Sequence, residues 1–348
     1  MPMHCLRSKK TQDRRPGVGW LRRVVTRSLV AAGTLTAALL STIASLPAQP
    51  EVNLSSCPAA AGKPTVEQVQ AGMRAARDRG FLWRVSTGGR NSYLYGTLHI
   101  AKNDWMYLGA TVLRALRASD RVALELDPLD PDIARRLNKA RSISANDTAL
   151  PEPLAARVRN EAERACFPLP ILNTMFPEMQ LITLGVLASR GNGMYPEYGS
   201  EPFLSRFARG LRKPVVSLET PELQMRAMRI GNPKDLIALA EKSLRQLETK
   251  RAQALQMRMA EAWANSRIDE LERYAEWCEC AETEAQRRYW RQVIDDRNPG
   301  LAEKIASMIS TGGTVFAAVG SLHMFGANGL PALLTQRGYE VEFVPFSP

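Results

Sequence analysis

Histidine is scarce in this sequence: three in 348 residues, at positions 4, 99 and 323. That scarcity removes several chemistries at once. No two histidines lie close enough for the helical His-Glu-x-x-His zinc motif. No Gly-x-Ser-x-Gly elbow is present to carry a serine nucleophile. The one Gly-Lys pair, Gly62-Lys63, runs into Pro64, so there is no phosphate-binding P-loop. A dinucleotide fingerprint and a Cys-x-x-Cys-His haem attachment are also missing.

Long apolar runs are equally few. Leu29 to Leu46 is the longest, short for a membrane span and studded with Thr, Ser and Gly. The basic stretch before it (Arg14, Arg15, Arg22, Arg23, Arg27) and the small residues after it give the order of a secretory signal. Residues 1–48 are therefore expected to be an export signal, cleaved after Ala48. Arg22-Arg23 as a twin-arginine signal, Leu54-Ser-Ser-Cys57 as a lipobox and an uncleaved anchor are lesser alternatives. The formal charge of +11 belongs largely to this segment. Its eight basic residues against Asp13 leave about +4 for the rest. No clustered basic face remains for a nucleic acid. The expected location is the periplasm or outside the cell.

Cysteine is sparse too, at five. Four of them, Cys57, Cys166, Cys278 and Cys280, lie beyond the signal, an even number that in an exported chain suggests two disulfides. Of the three pairings, a local Cys278–Cys280 bridge is disfavoured, because so short a loop strains the bond. Two long bridges from Cys278-Glu-Cys280 to Cys57 and Cys166 are expected instead. Cys-x-Cys has no matching Cys or His pair nearby for a metal.

What is present is a repeated context. Tyr93-Leu-Tyr-Gly-Thr-Leu-His99-Ile100 and Ala317-Ala-Val-Gly-Ser-Leu-His323-Met324 each read as a strand, then Gly, a small hydroxyl residue, Leu and His. With His4 in the signal, every remaining histidine stands in this context. Histidine is the commonest metal ligand and the usual acid–base group near neutral pH. The glycine is expected to permit an unusual backbone angle or a close approach. Two glutamates share the position. Glu125 sits in the apolar stretch Val122-Ala-Leu-Glu-Leu, where an acid is costly unless paired or coordinated. Glu219 ends Val215-Val-Ser-Leu-Glu, just before a helix start at Thr220-Pro-Glu222. A buried ion pair between Glu125 and Arg297 is the competing structural reading.

Residues 49–63 are Pro-, Ala- and Ser-rich and read as a flexible tail. Thr65-Val-Glu-Gln68 is a capping box, opening a helix to about Asp78. A hairpin turns at Gly88-Gly89, a helix is expected over 105–118, and further strands over 121–127, 213–219, 314–319 and 341–344. Residues 234–293 are amphipathic and predict two or three helices, with Met257, Met259, Trp263, Trp277 and Trp290 as core. The expected fold is α/β: a single domain over 64–348, its central mixed sheet built from the N- and C-terminal thirds, with flanking helices and a helical insertion at about 131–293.

The pieces Tyr95-Gly-Thr-Leu-His99, Ala123-Leu-Glu125-Leu-Asp127, Lys213-Pro-Val-Val-Ser-Leu-Glu219-Thr220-Pro-Glu222-Leu-Gln224, Arg297-Asn298 and Val319-Gly-Ser-Leu-His323 through Gly329-Leu330 come in a telling order. Over about residues 80–345 the chain resembles the TraB/PrgY/GumN family, which includes the Tiki membrane proteins of animals. The resemblance implies a fold akin to erythromycin esterase and ChaN-type haem-binding lipoproteins, and a group containing metal-dependent proteases with paired Gly-x-x-His motifs. On it, His99, His323 and Glu125 would bind a divalent metal, Zn or Mn, with Glu219 and Arg297 near the site. The expected function is an exported metal-dependent hydrolase acting on peptides; here Glu219 would be ligand or general base, and Arg297 would orient a carboxylate or stabilise an oxyanion. The alternative is a non-catalytic haem- or ligand-binding or accessory protein of the same fold. The expected partner is a peptide or protein substrate, with no nucleic acid and no membrane span after cleavage.

Overall fold

The computed structural model describes residues 57–346. The expected export segment and the first part of the expected tail lie outside the described residues. Six strands, β1 (Phe81–Thr87), β2 (Arg90–Thr97), β3 (Arg121–Leu124), β4 (Val215–Ser217), β5 (Val315–Gly320) and β6 (Glu340–Phe343), form one mixed sheet in the order β4-β3-β5-β2-β1-β6. β1 and β2 are the hairpin. β3, β4 and β5 run parallel to β2, and β6 closes the other edge antiparallel to β1. Every residue of β5 is buried, as expected for a central strand covered on both faces.

Helices pack on both sides of the sheet. Four main ones, Pro131–Ala140, Glu152–Arg164, Pro177–Leu187 and Ser200–Gly210, fall between β3 and β4; others follow between β4 and β5. A second apolar cluster, including Leu154, Val158, Leu172, Leu184 and Leu244, ties Glu152–Arg164 and Pro177–Leu187 to the Pro233–Glu248 helix. Among the described residues no helix is long and apolar enough to cross a membrane.

The mixed α/β architecture is as the sequence predicts; several boundaries differ. The helix expected from 105 begins at Ala110, after a short turn at Asn103–Trp105. Its first free N–H groups, on Thr111 and Val112, donate to the Asp78 carboxylate at 3.0 and 2.9 Å. A cap from 33 residues upstream leaves no local signal. Residues 234–293 form five α-helices rather than two or three: Pro233–Glu248, Arg251–Ala264, Ile268–Glu272, Tyr274–Trp277 and Glu284–Trp290. Lys250, Ser266 and Glu279 stand in the left-handed region at the breaks, which ends a helix without needing glycine.

The disulfides correct the expectation. Cys57 pairs with Cys166, and Cys278 with Cys280. Glu279 takes a positive φ of 55°, which brings the flanking α-carbons within 5.1 Å, inside the reach of a disulfide. The described part of the tail has no helix or strand before Val66. Besides the Cys57 bridge, the Tyr195 and Tyr198 hydroxyls donate to the Ala59 and Gly62 carbonyls.

Candidate metal site

The four parallel strands end along one side of the sheet. Each is followed by a polar residue the sequence singles out: Glu219 after β4, Glu125 after β3, His323 after β5, His99 after β2. Ligand groups collect at carboxyl ends of such strands because side chains there leave the ladder and face open space.

The two histidine motifs repeat in sequence but not in register. The β2–β5 ladder pairs Gly96 with Val319 and Thr97 with Gly320. A one-residue stagger exchanges the faces to which equivalent side chains point. The two glycines accordingly have different neighbours. A Cβ on Gly96 would stand 2.9 Å from Ser321 Oγ, which donates to the Thr97 carbonyl at 2.9 Å. A Cβ on Gly320 would stand 3.1 Å from Glu125 Oε1, 3.3 Å from His99 Nε2 and 3.7 Å from His323 Cδ2. Both glycines serve close approach rather than an unusual angle; Gly320 has φ −47°.

His99 lies past the strand end with its side chain 65% exposed. Its Nδ1 sits 3.0 Å from Glu201 Oε1, which leaves Nε2 to face Gly320 and Glu125. Glu201 stands in the first turn of the Ser200–Gly210 helix, where a negative charge is favoured. The helix start is pinned to the motif: Ser200 N–H donates to the Leu98 carbonyl, and Leu98 N–H to Ser200 Oγ at 3.1 Å. Thr97 Oγ1 also donates to Glu201 Oε1. Glu201 raises the His99 pKa, and solvent at the open ring face screens part of that pull. Burial pushes the Glu201 carboxyl up; the charge and hydrogen bond of His99, with the Thr97 hydroxyl, together outweigh it and hold the carboxyl below the ordinary range.

Glu125 is buried, 4% exposed. Oε1 accepts the Gly320 N–H at 2.8 Å, and Oε2 accepts from Arg297 Nη2 at 2.6 Å and Gln224 Nε2 at 3.1 Å. Burial alone would raise its pKa; His323, Arg297, His99 and the Gly320 N–H together pull it well below the carboxylate range. His99, Glu125 and Glu201 each offer a ligand atom, and these atoms lie within 4.8 Å of one another. One imidazole and two carboxylates suit a divalent cation.

His323 is 3% exposed and has its own partners. Nδ1 lies 2.6 Å from Asn298 Oδ1, and Nε2 lies 3.2 Å from Arg297 Nη1. The guanidinium can only donate, so Nε2 is assigned as the acceptor and Nδ1 as the N–H that Asn298 accepts. Burial pushes the His323 pKa down to about 4.

Arg297 uses all its donors on protein groups. Nε and Nη2 form a fork on Glu219, Nη2 also reaches Glu125, and Nη1 takes the Val293 carbonyl and His323. The buried Glu125–Arg297 ion pair of the structural reading is thus present, inside the same cluster. Burial raises the Glu219 pKa despite the Arg297 fork.

The structure therefore gathers all five residues singled out by the sequence into one cluster and adds Glu201, Asn298 and Gln224. Glu201 gives a weak signal, since an acid in Gly199-Ser200-Glu201 reads as an ordinary helix start. A cleft of about 1010 Å³ opens beside the cluster, with Glu219 and Arg297 in its wall. A smaller cavity of about 290 Å³, between residues 230–242 and 283–292, touches none of these eight residues.

The family model described as TraB/PrgY/gumN family matches residues 81–343, which hold the whole cluster. Two relatives carry the name "Uncharacterized protein YbaP", from Shigella flexneri and from Escherichia coli (strain K12). Each is 26% identical over 251 residues, covering 71% of this chain and 89% of the relative. No solved structure matches.

Proposed function

The chain belongs to the TraB/PrgY/gumN family, and from that premise we propose that it is an exported, metal-dependent hydrolase of peptide bonds. The observation that carries the reading is the convergence of His99, Glu125 and Glu201 ligand atoms within 4.8 Å at the strand ends. The donor set fits a cation, Zn or Mn: Glu125 stays ionised, and Glu201 holds His99 Nδ1 so that Nε2, on losing its proton, would be the ligand atom. A bound divalent ion would supply Lewis-acid polarisation of the scissile carbonyl.

The chain's own groups supply the rest. Gly320 leaves the volume in which His99 and Glu125 meet. His323, its tautomer set by Asn298 and its Nε2 engaged by Arg297 Nη1, would be the second imidazole at the site. Glu219 is the proton carrier at Oε1 or Oε2, because its raised pKa brings it toward the range useful to a general base. Arg297, with every N–H engaged, positions Glu125 and Glu219. Two disulfides suit an oxidising compartment, in keeping with export.

The test is metal analysis and cleavage of an unstructured polypeptide by purified protein, with His99→Ala, Glu125→Gln and Glu201→Gln alongside. Each variant is expected to lose metal and activity together. Retention of both by all three sinks the proposal.

A further inference from the structure

The sheet has two edges, and they are treated differently. β6 carries Glu340 and Glu342, charges that discourage pairing with another strand. β4, Val215–Ser217, carries no charge and is only half-buried. Its backbone leaves one side open. Val122 N–H donates to the Pro214 carbonyl at 2.9 Å, and Leu218 N–H to the Leu124 carbonyl at 2.8 Å. Parallel pairing alternates along a strand, so Val215 and Ser217 turn their N–H and C=O groups away from β3. Among the described residues these four groups have no hydrogen-bond partner.

The open edge leads into the site. Ser217, Leu218 and Glu219 line the 1010 Å³ cleft, which continues past Leu223 and Ala227 on one wall and Gly300 and Leu301 on the other. A small ligand has no use for a row of alternating backbone donors and acceptors; an extended peptide does.

We propose that the free edge of β4 and the adjoining cleft dock an extended polypeptide segment, which adds to the sheet as a seventh strand and carries its chain past Glu219 and Arg297. The inference rests on the peptidase reading for its occupant. Main-chain hydrogen bonds to Val215 and Ser217 supply affinity with little regard to sequence, and the apolar wall at Leu223 and Ala227 receives alternate side chains.

The test reads binding without turnover. Fluorescein-labelled β-casein, an unfolded polypeptide, is titrated by fluorescence anisotropy against full-length processed protein in EDTA. Val215→Pro deletes one outward N–H and no ladder bond, and an edge strand accepts proline. It is expected to weaken binding about tenfold. Gly300→Trp is expected to do the same by filling the cleft, and a Cβ added there meets nothing, so the fold is spared. Circular dichroism confirms that each variant is folded; if Val215→Pro is not, Gly300→Trp decides. Casein binding at wild-type strength by the folded variants overturns the proposal. So does no binding by wild type up to roughly 100 µM. Casein that binds as described but is never cut in the presence of metal leaves the docking site standing and removes the hydrolase reading.

Discussion

Gly320 stands where any side chain would press on His99: its absent Cβ position lies 3.3 Å from the His99 Nε2 atom and 3.1 Å from Glu125 Oε1. The second motif's glycine thus makes room for the first motif's histidine. Gly320→Ala should weaken metal binding at least as much as it weakens the fold. The added methyl is expected to cost about 1–3 kcal/mol in overpacking. Isothermal titration with Zn or Mn, beside thermal unfolding of the metal-free protein, separates the two effects. Unchanged affinity would mean that this space is not the cation's.

The His99–Glu201 pair sets a pH dependence. Glu201 raises the His99 pKa from 6.5 toward about 9, so this group's contribution is complete below pH 6.5 and is lost as pH rises through about 9. Glu201 is lowered from 4.5, so its contribution is present above pH 4.5 and is lost as pH falls. Metal-free wild type should therefore gain most over Glu201→Gln between about pH 4.5 and 6.5, and the gain should fade toward pH 9. Unfolding midpoints of the two proteins across that range check the sign. Cation binding must displace the His99 proton, so affinity should rise with pH over the same upper interval.

Arg297 neutralises two buried carboxylates at once. Arg297→Met leaves Glu125 and Glu219 facing each other, each side chain 5% exposed. The expected loss is about 3–5 kcal/mol in urea unfolding. Adding Glu219→Gln should recover part of it, because one of the two charges is then gone. A double variant no more stable than the single one would show that the fork to Glu219 holds geometry rather than charge.

The two disulfides should differ in worth. Cys57–Cys166 spans 109 residues and Cys278–Cys280 spans 2. Closing a long loop restricts the unfolded chain far more than closing a short one, so replacing the first pair by serine should cost about 4 kcal/mol. Replacing the second pair should cost much less. Chemical denaturation of both double variants under non-reducing conditions measures the difference.

Much of the site is legible in the sequence because each functional residue interrupts a strong local pattern. Glu125 breaks an apolar strand, Glu219 ends another, and His99 and His323 follow strand, Gly, hydroxyl, Leu. Glu201 breaks nothing. An acid in a helix's first turn is ordinary, and only the pinning of Ser200 to Leu98 turns it toward His99. The Asp78 cap leaves no local signal for the same reason: its partners are distant in sequence. At Cys278–Cys280 the small ring disfavours a bridge, and the left-handed Glu279 permits it.

By itself the sequence determined the alternation of strands and helices, the family and the strand-end chemistry, because these follow from local periodicity and from which residue types tolerate burial. Tertiary structure decided the pairing. One histidine is open and the other buried, although their flanks are alike and the two motifs meet one residue out of step in the β2–β5 ladder. It also assigned Glu201 to His99, and Arg297 with Asn298 to His323. Register and long-range contact depend on how whole elements pack, and no stretch of the chain carries that information alone.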